Sequence, residues 1–380
     1  MSSHAGRILT THVGSLPRPL DVTTTIFKAE RGEFVDKAEH EKIIERAVHD
    51  IVGRQVDSGV DIVSDGEMDK ISYATYIKDR ISGFDGDSSR TPPADLEDFP
   101  GFLEQLAKSG GTPTYKRPQC VAEIRHVDIR PVTLECEIFK KAVTAHSPVG
   151  AFLNSASPGV IAMFQPNVFY TSHEAYLEAV AEAMRIEYEA IVAAGFILQI
   201  DSPDLGLGRH MMFKRLAEHE YLARINENVD ALNHALRNVP ADRVRMHVCW
   251  GNYEGPHTHD APLTTVLPVA LRAKPQGLLF ESSNPRHAHE WEDLGKINIP
   301  DDKVLIPGVV DTTTNFVEHP RLIAQRILNV ARVVGRDRVI AGTDCGFSTF
   351  AGYPGIDTDI VFAKLRSMRE GAELASKALW

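Results

Sequence analysis

Val244-Arg-Met-His247-Val-Cys249 is the stretch whose reading decides the fold. Side chains two residues apart in a strand share a face, so His247 and Cys249 present an imidazole and a thiol to the same side. A second thiol, Cys345, stands in Ala341-Gly-Thr-Asp-Cys345-Gly-Phe, again just past a short apolar run. The two cysteines can meet only if their strands lie side by side. Two sulfurs and one imidazole suit zinc. Glu281, directly after Leu278-Leu-Phe280, is the expected fourth ligand, a carboxylate that a substrate can displace. Either cysteine alone reads more readily as a buried small hydrophobe. The set, on successive strand ends, reads as a zinc centre that turns an incoming thiol into a thiolate.

Working outward, short apolar runs alternate with long amphipathic segments. The runs cover residues 7–13, 61–64, 148–153, 196–200, 244–248, 277–280, 304–310 and 338–341. Eight mostly continuous runs are what a closed (β/α)8 TIM barrel of parallel strands needs, with both sheet faces covered. Between them, Thr171-Ser-His-Glu174 has capping-box spacing and opens a helix that Gly195 ends. Pro320 opens another, with Leu322, Ile323, Ile327 and Val330 expected inward. Residues 28–58 read as one long charged amphipathic segment, and residues 359–379 as a closing helix. Residues 85–136 interrupt the alternation. Within them, 85–117 read as an excursion suited to a lid or an oligomer arm. Cys120-Val-Ala-Glu-Ile124 and Val132-Thr-Leu-Glu-Cys136 read as a hairpin. No repeat or linker splits the chain, so residues 1–380 are expected to form a single barrel domain.

The totals narrow the function. With 43% hydrophobic and 24% charged residues the composition is that of a soluble globular protein. A net charge of −11 without a basic cluster argues against nucleic acid. No apolar stretch is long enough to cross a membrane, and residues 1–7 have no signal-peptide core. Four cysteines in 380 residues make no disulfide framework, so the cytoplasm is the expected compartment. Nothing in the chain fixes the oligomeric state, and a homo-oligomer is allowed.

In a parallel α/β barrel the reactive groups gather at the C-terminal strand ends. Here those ends carry Val13-Gly-Ser15, Asp65-Gly-Glu67, Asp201-Ser-Pro-Asp204, His247-Val-Cys249, Glu281-Ser-Ser-Asn284, Asp311-Thr-Thr-Thr314 and Asp344-Cys345. Glu67 and Asp201 are two carboxylates suited to an ammonium group. His257 and His259 have metal-like spacing but read as a solvated loop, or with Arg286 as a grip on an anionic tail.

These motifs, with Thr10-Thr-His-Val-Gly-Ser-Leu-Pro17, resemble the catalytic C-terminal barrel of cobalamin-independent methionine synthase, a superfamily that includes epoxyalkane:coenzyme M transferases. The resemblance implies zinc on His247, Cys249, Glu281 and Cys345. It implies that Ser15, with the backbone at Val13 and Gly14, holds the carboxylate of an amino-acid thiol, and that Glu67 and Asp201 hold its amine. Asp344 would lie beside the metal, and it and Glu281 are the expected catalytic residues. Where the family has Asp-x-His after the last Gly-Val, this chain reads Asp311-Thr-Thr313. Threonine is a poor proton donor. The expected activity is zinc-dependent alkyl transfer to a small thiol. The first reading is methyl transfer to homocysteine from methyltetrahydrofolate or another donor. The alternatives are thiolate opening of an epoxide, and a non-catalytic zinc-stabilised thiol-binding barrel.

Overall fold

The computed structural model describes residues 6–89, 92–108, 116–352 and 355–380. Among these residues nine strands run in chain order: β1 Ile62–Ser64, β2 Phe84–Asp85, β3 Gln119–Cys120, β4 Gly150–Ala156, β5 Ile197–Asp201, β6 Val244–Val248, β7 Gly277–Phe280, β8 Val304–Val310 and β9 Gly342–Thr343. Seven of them make one parallel sheet in the order β1-β4-β5-β6-β7-β8-β9. Sequence order equals spatial order, as it must when each strand is followed by a right-handed helical crossover. The sheet is curled, because both of its edges reach the same segment. Thr10 bridges Ala341 beside β9, and Thr11 bridges Ile62 of β1.

That segment corrects the first expected strand. Residues 7–13 make two isolated bridges rather than a strand, because polar anchors hold them. Arg7 pairs with Asp61 at 2.6 Å, and Asp61 Oδ2 accepts the Thr10 amide at 2.9 Å. The last expected strand, 338–341, shifts to Gly342–Thr343, with a lone bridge from Val339 to Leu305. The runs at 244–248, 277–280 and 304–310 are strands as read.

The hairpin expectation fails. β3 pairs antiparallel with β2, and residues 132–136 lie inside the helix Arg130–His146. Pro131 sits in its first turn, and Val132, Cys136 and Phe139 are buried at helical spacing. The charged segment 28–58 is two helices, Leu20–Glu30 and Lys37–Asp57, broken where Gly32 takes φ +71°. The helix His173–Ala193 is capped by Ser172, one residue later than the capping-box spacing put it. Pro320–Val334 forms as expected, but Leu322 is 41% exposed and only Ile323, Ile327 and Val330 point inward. The excursion contains two short helices, Ala94–Asp98 and Pro100–Lys108. Residues 90–91 and 109–115 of it lie outside the described residues.

One buried ionic network ties these layers together. Glu135 pairs with Lys70 at 2.9 Å and with Arg80 at 2.7 Å, and Arg80 reaches Glu187 at 3.0 Å. Tyr76 and Ser155 also donate to Glu187. Lys70 in turn donates to the carbonyl of Asn154 on β4 at 2.7 Å. Removing one member strands buried charges of the other sign, which costs far more than losing a surface pair. Glu135→Gln is expected to lower unfolding stability by about 3–5 kcal/mol, read from the urea midpoint. An unchanged midpoint would show that the network contributes nothing to stability.

Candidate metal centre and substrate pocket

Sheet register brings the ligand set together. Asp201 of β5 pairs with His247 of β6, and Val248 pairs with Phe280 of β7, which sets Cys249 beside Glu281. β9 pairs with β8 and its chain continues into Asp344 and Cys345. The result is a three-donor cluster in which the His247, Cys249 and Cys345 ligand atoms all lie within 4.8 Å of one another. The two sulfurs are 3.8 Å apart. Two sulfurs each about 2.3 Å from a tetrahedral zinc ion stand about 3.8 Å apart, so the spacing fits zinc and is far beyond a disulfide.

The electrostatics agree with a cation here. Both nitrogens of the buried His247 ring lack a hydrogen-bond partner among the described residues. Burial, then Arg245, hold its pKa down to about 3, so the ring is the neutral imidazole that a metal ligand must be. The Cys249 thiol is pushed well above its usual range by the neighbouring Cys345 sulfur and by burial. The Gly251 amide donates to the Cys249 sulfur at 3.2 Å.

Glu281 stands next to the three-donor group, against the Cys249 thiol. Its Oε1 accepts the Trp250 amide at 2.7 Å and its Oε2 accepts Asn284 Nδ2 at 2.7 Å. Asp344 is committed to the scaffold. Its carboxylate accepts the amides of Ser282, Ser283 and Asn284 at 2.8–2.9 Å. These bonds tie it to the loop that carries Glu281.

The cluster floors a cavity of about 270 Å³ that Ser15, Glu67 and Asp201 also line. Ser15 Oγ has no hydrogen-bond partner among the described residues and borders this space. Val13 contributes to the wall only. Its amide donates to Thr343 Oγ1 at 3.2 Å, and its carbonyl accepts Asn154 and Gln199, so its backbone is not open to a substrate carboxylate. Gly14 takes φ +146°, and a Cβ there would meet the Asn154 side chain at 2.3 Å, so no other residue fits the turn.

Glu67 is held under strain. It takes φ +56°, a left-handed conformation costly for a non-glycine residue, and its Oε2 is buried without a partner. Burial, then the charge of Asp201, raise its pKa to about 8. Asp201 is raised by burial to about 6, although Asn154 and Gln199 donate to it. Two buried carboxylates whose pKa values burial raises, despite Lys70, Arg18 and Arg245 nearby, can seat an ammonium group.

Sequence reasoning missed Asn154. The third run was read as ending at residue 153, whereas β4 continues to Ala156. The excursion, read as a lid or an oligomer arm, lines the cavity through Pro93, Leu96 and Leu106. Asp95 fixes that segment by accepting the Tyr253 hydroxyl and, at 2.9 Å, the His257 amide. His257 and His259 are used in the same clasp. His257 contacts Asp260 at 2.8 Å, and His259 contacts Asp98 at 2.5 Å. Neither joins the metal cluster. Arg286 borders a second cavity of about 350 Å³ with Glu281, Asp344 and Thr313.

The raised Glu67 pKa has a sign. Its ordinary value is 4.5 and its folded value about 8, so the neutral form stabilises the fold at low pH. That stability fades as pH climbs through this window. Glu67→Gln is therefore expected to raise the melting temperature of the ligand-free protein, more at about pH 9 than at about pH 5. A difference that stays constant across this range would rule out a buried Glu67 with a raised pKa.

Comparison with known proteins agrees with this geometry. The profile of the family "Cobalamin-independent synthase, Catalytic domain" matches residues 8–374. A methionine synthase of Saccharolobus solfataricus is 25% identical over 371 residues, covering 97% of this chain and 95% of its own. One from Sulfurisphaera tokodaii is 22% identical, covering 97% and 93%. The structure of a B12-independent methionine synthase from Shewanella sp. W3-18-1, in complex with selenomethionine, superposes with a TM-score of 0.74. It is 19% identical and the match covers 98% of this chain and 99% of that one, a likeness that establishes a TIM-barrel-like fold. With the match extending over nearly its whole length, this chain belongs to the cobalamin-independent synthase catalytic-domain family.

Proposed function

We propose that this protein is a zinc-dependent methyltransferase that moves a methyl group to the sulfur of homocysteine or a closely similar amino-acid thiol. The observation that carries the reading is the placing of a buried His-Cys-Cys cluster and an unsatisfied Glu67 in one cavity. The methionine synthases among its relatives support methyl transfer over epoxide opening and over a non-catalytic barrel. The same reading takes residues 1–380 as one domain, with the segment at Thr10 and Thr11 closing the sheet as the eighth stave of a (β/α)8 barrel.

His247, Cys249 and Cys345 would hold the zinc, with Glu281 as the nearby carboxylate that can join or leave. Zinc in this position supplies a positive charge that lowers the pKa of a sulfhydryl. The chain's own residues do the rest. Glu67 and Asp201 bind the substrate ammonium, and Ser15 Oγ with the Gly14 end of the turn binds the carboxylate. These contacts fix the amino acid at one end, so its sulfur has few positions left to occupy. The roof carried by Leu96 and Leu106 excludes water from the reacting atoms. In the reaction the sulfur lone pair forms the new C–S bond. The bond between methyl and its carrier breaks with its electron pair on the carrier, and the thiol proton ends on the carrier.

Metal analysis of the purified chain is expected to find about one zinc per molecule, and His247→Ala to lose it along with at least about 100-fold in activity. Glu67→Gln should raise the KM for homocysteine more than it lowers kcat, because its contact is made before and during the reaction alike. Methionine formation from homocysteine with a panel of methyl donors is the direct assay. A zinc-free protein, or no thioether with any donor, would end this reading.

A further inference from the structure

The cavity over the sulfur pair has two unlike halves. Ser15, Glu67 and Asp201 make a polar floor around the cluster, and the rest of the lining is mostly apolar, with Leu96, Leu106, Phe164, Met211 and Phe350 beside the polar Asn252, Tyr253 and Thr349. The five apolar residues come from separate parts of the chain. Leu96 and Leu106 lie on the two excursion helices, and Phe164 ends the helix Pro158–Phe164. An apolar surface assembled from so many pieces is not the by-product of one packed helix. The excursion is also clamped down. Besides the Asp95 clasp, Lys214 grips Glu97 at 2.7 Å, and the Ala94 amide donates to the His210 carbonyl at 2.9 Å.

An amino-acid thiol of homocysteine size leaves this upper half empty. Its ammonium and carboxylate stay on the floor, and beyond its sulfur it has no further atoms. A charged or strongly hydrated group placed there would lose its water and meet no polar partner among these five residues. We propose that the upper half receives an apolar, uncharged group attached to the far side of the reacting carbon. The methyl donor is then a compound whose carrier presents an aliphatic or aromatic face at that end. This rests on the reading of the floor as an amino-acid site.

Homocysteine thioethers probe both halves at once. Methionine, S-butylhomocysteine, S-benzylhomocysteine and S-carboxymethylhomocysteine are titrated calorimetrically into the zinc-loaded full chain, alongside benzyl methyl sulfide, which lacks the amino-acid end. Each fully buried methylene is worth about fourfold in affinity. The butyl and benzyl compounds are therefore expected to bind at least about 10-fold tighter than methionine, and the carboxymethyl compound more weakly than methionine. Leu106→Asp, at a half-buried position, should shrink the benzyl-to-methyl ratio to less than about threefold, with circular dichroism reporting that the chain is folded. Methionine binding as tightly as its larger homologues would overturn the apolar upper site and leave the floor reading intact. Benzyl methyl sulfide binding where methionine does not would support the upper site and overturn the floor reading. Failure of both to bind would overturn both.

Discussion

A single guanidinium inside the curled sheet is the constraint on which the rest depends. Arg245 is fully buried on β6, and burial alone drags its pKa down to about 9. Leaving such a cation unpaired would cost several kcal/mol. It is therefore satisfied from three directions. Its nitrogens donate to Gln199 Oε1 at 2.7 Å, to Thr11 Oγ1 at 2.8 Å and to the His12 carbonyl at 2.8 Å, and its plane lies 3.5 Å over the Phe152 ring. Those partners belong to β5, to β4 and to the N-terminal segment that meets both sheet edges. Arg245 thus braces that segment, which is too irregular to hold itself by strand pairing. Three residues past His12 stands Ser15, so the same brace determines where Ser15 sits in the cavity.

The interior changes character along its axis for the same reason. Residues 245, 247 and 249 share one face of β6 by simple alternation. The first is a structural cation, the second a neutral imidazole and the third a thiol. Gln199 and Asp201 repeat the pattern on β5, where Gln199 serves Arg245 from one side and Asp201 from the other. Below, Arg245 and Gln199 are paired. Above, at the strand ends, His247 and Glu67 keep atoms without partners. Unpaired buried polar atoms and a left-handed glutamate are destabilising, and a protein retains them where a ligand is to complete them. The well-packed lower interior and the ionic network around Glu135 offset that cost.

Much of the site was legible because its residues obey local rules. Strand alternation put His247 and Cys249 together, and three of the apolar runs are strands over their whole read length. Asp344 shows the limit of such reading. Its neighbour Cys345 reaches the cluster, but the aspartate is spent on three backbone amides, a fact that depends on how the loop after β7 folds back. Residues 132–136 show another limit. An alternating reading of five residues could not compete with the four-residue spacing of Val132, Cys136 and Phe139 once Pro131 had started a helix. The excursion was visible as an interruption, but nothing local said that Asp95 would find Tyr253 across the mouth of the cavity.

By itself, then, the sequence determined the layered α/β pattern, the thiol-imidazole chemistry and the acidic pair at the strand ends, because periodicity and side-chain type are written residue by residue. Only the tertiary structure decided which of those groups are open and which are spent. It closed the backbone of Val13 to substrate, turned Asp344 into a brace, left Glu67 unsatisfied and laid Leu96 and Leu106 over the sulfurs. Such outcomes depend on partners tens or hundreds of residues away, and their energies exist only once packing has removed the water that would otherwise satisfy every group equally.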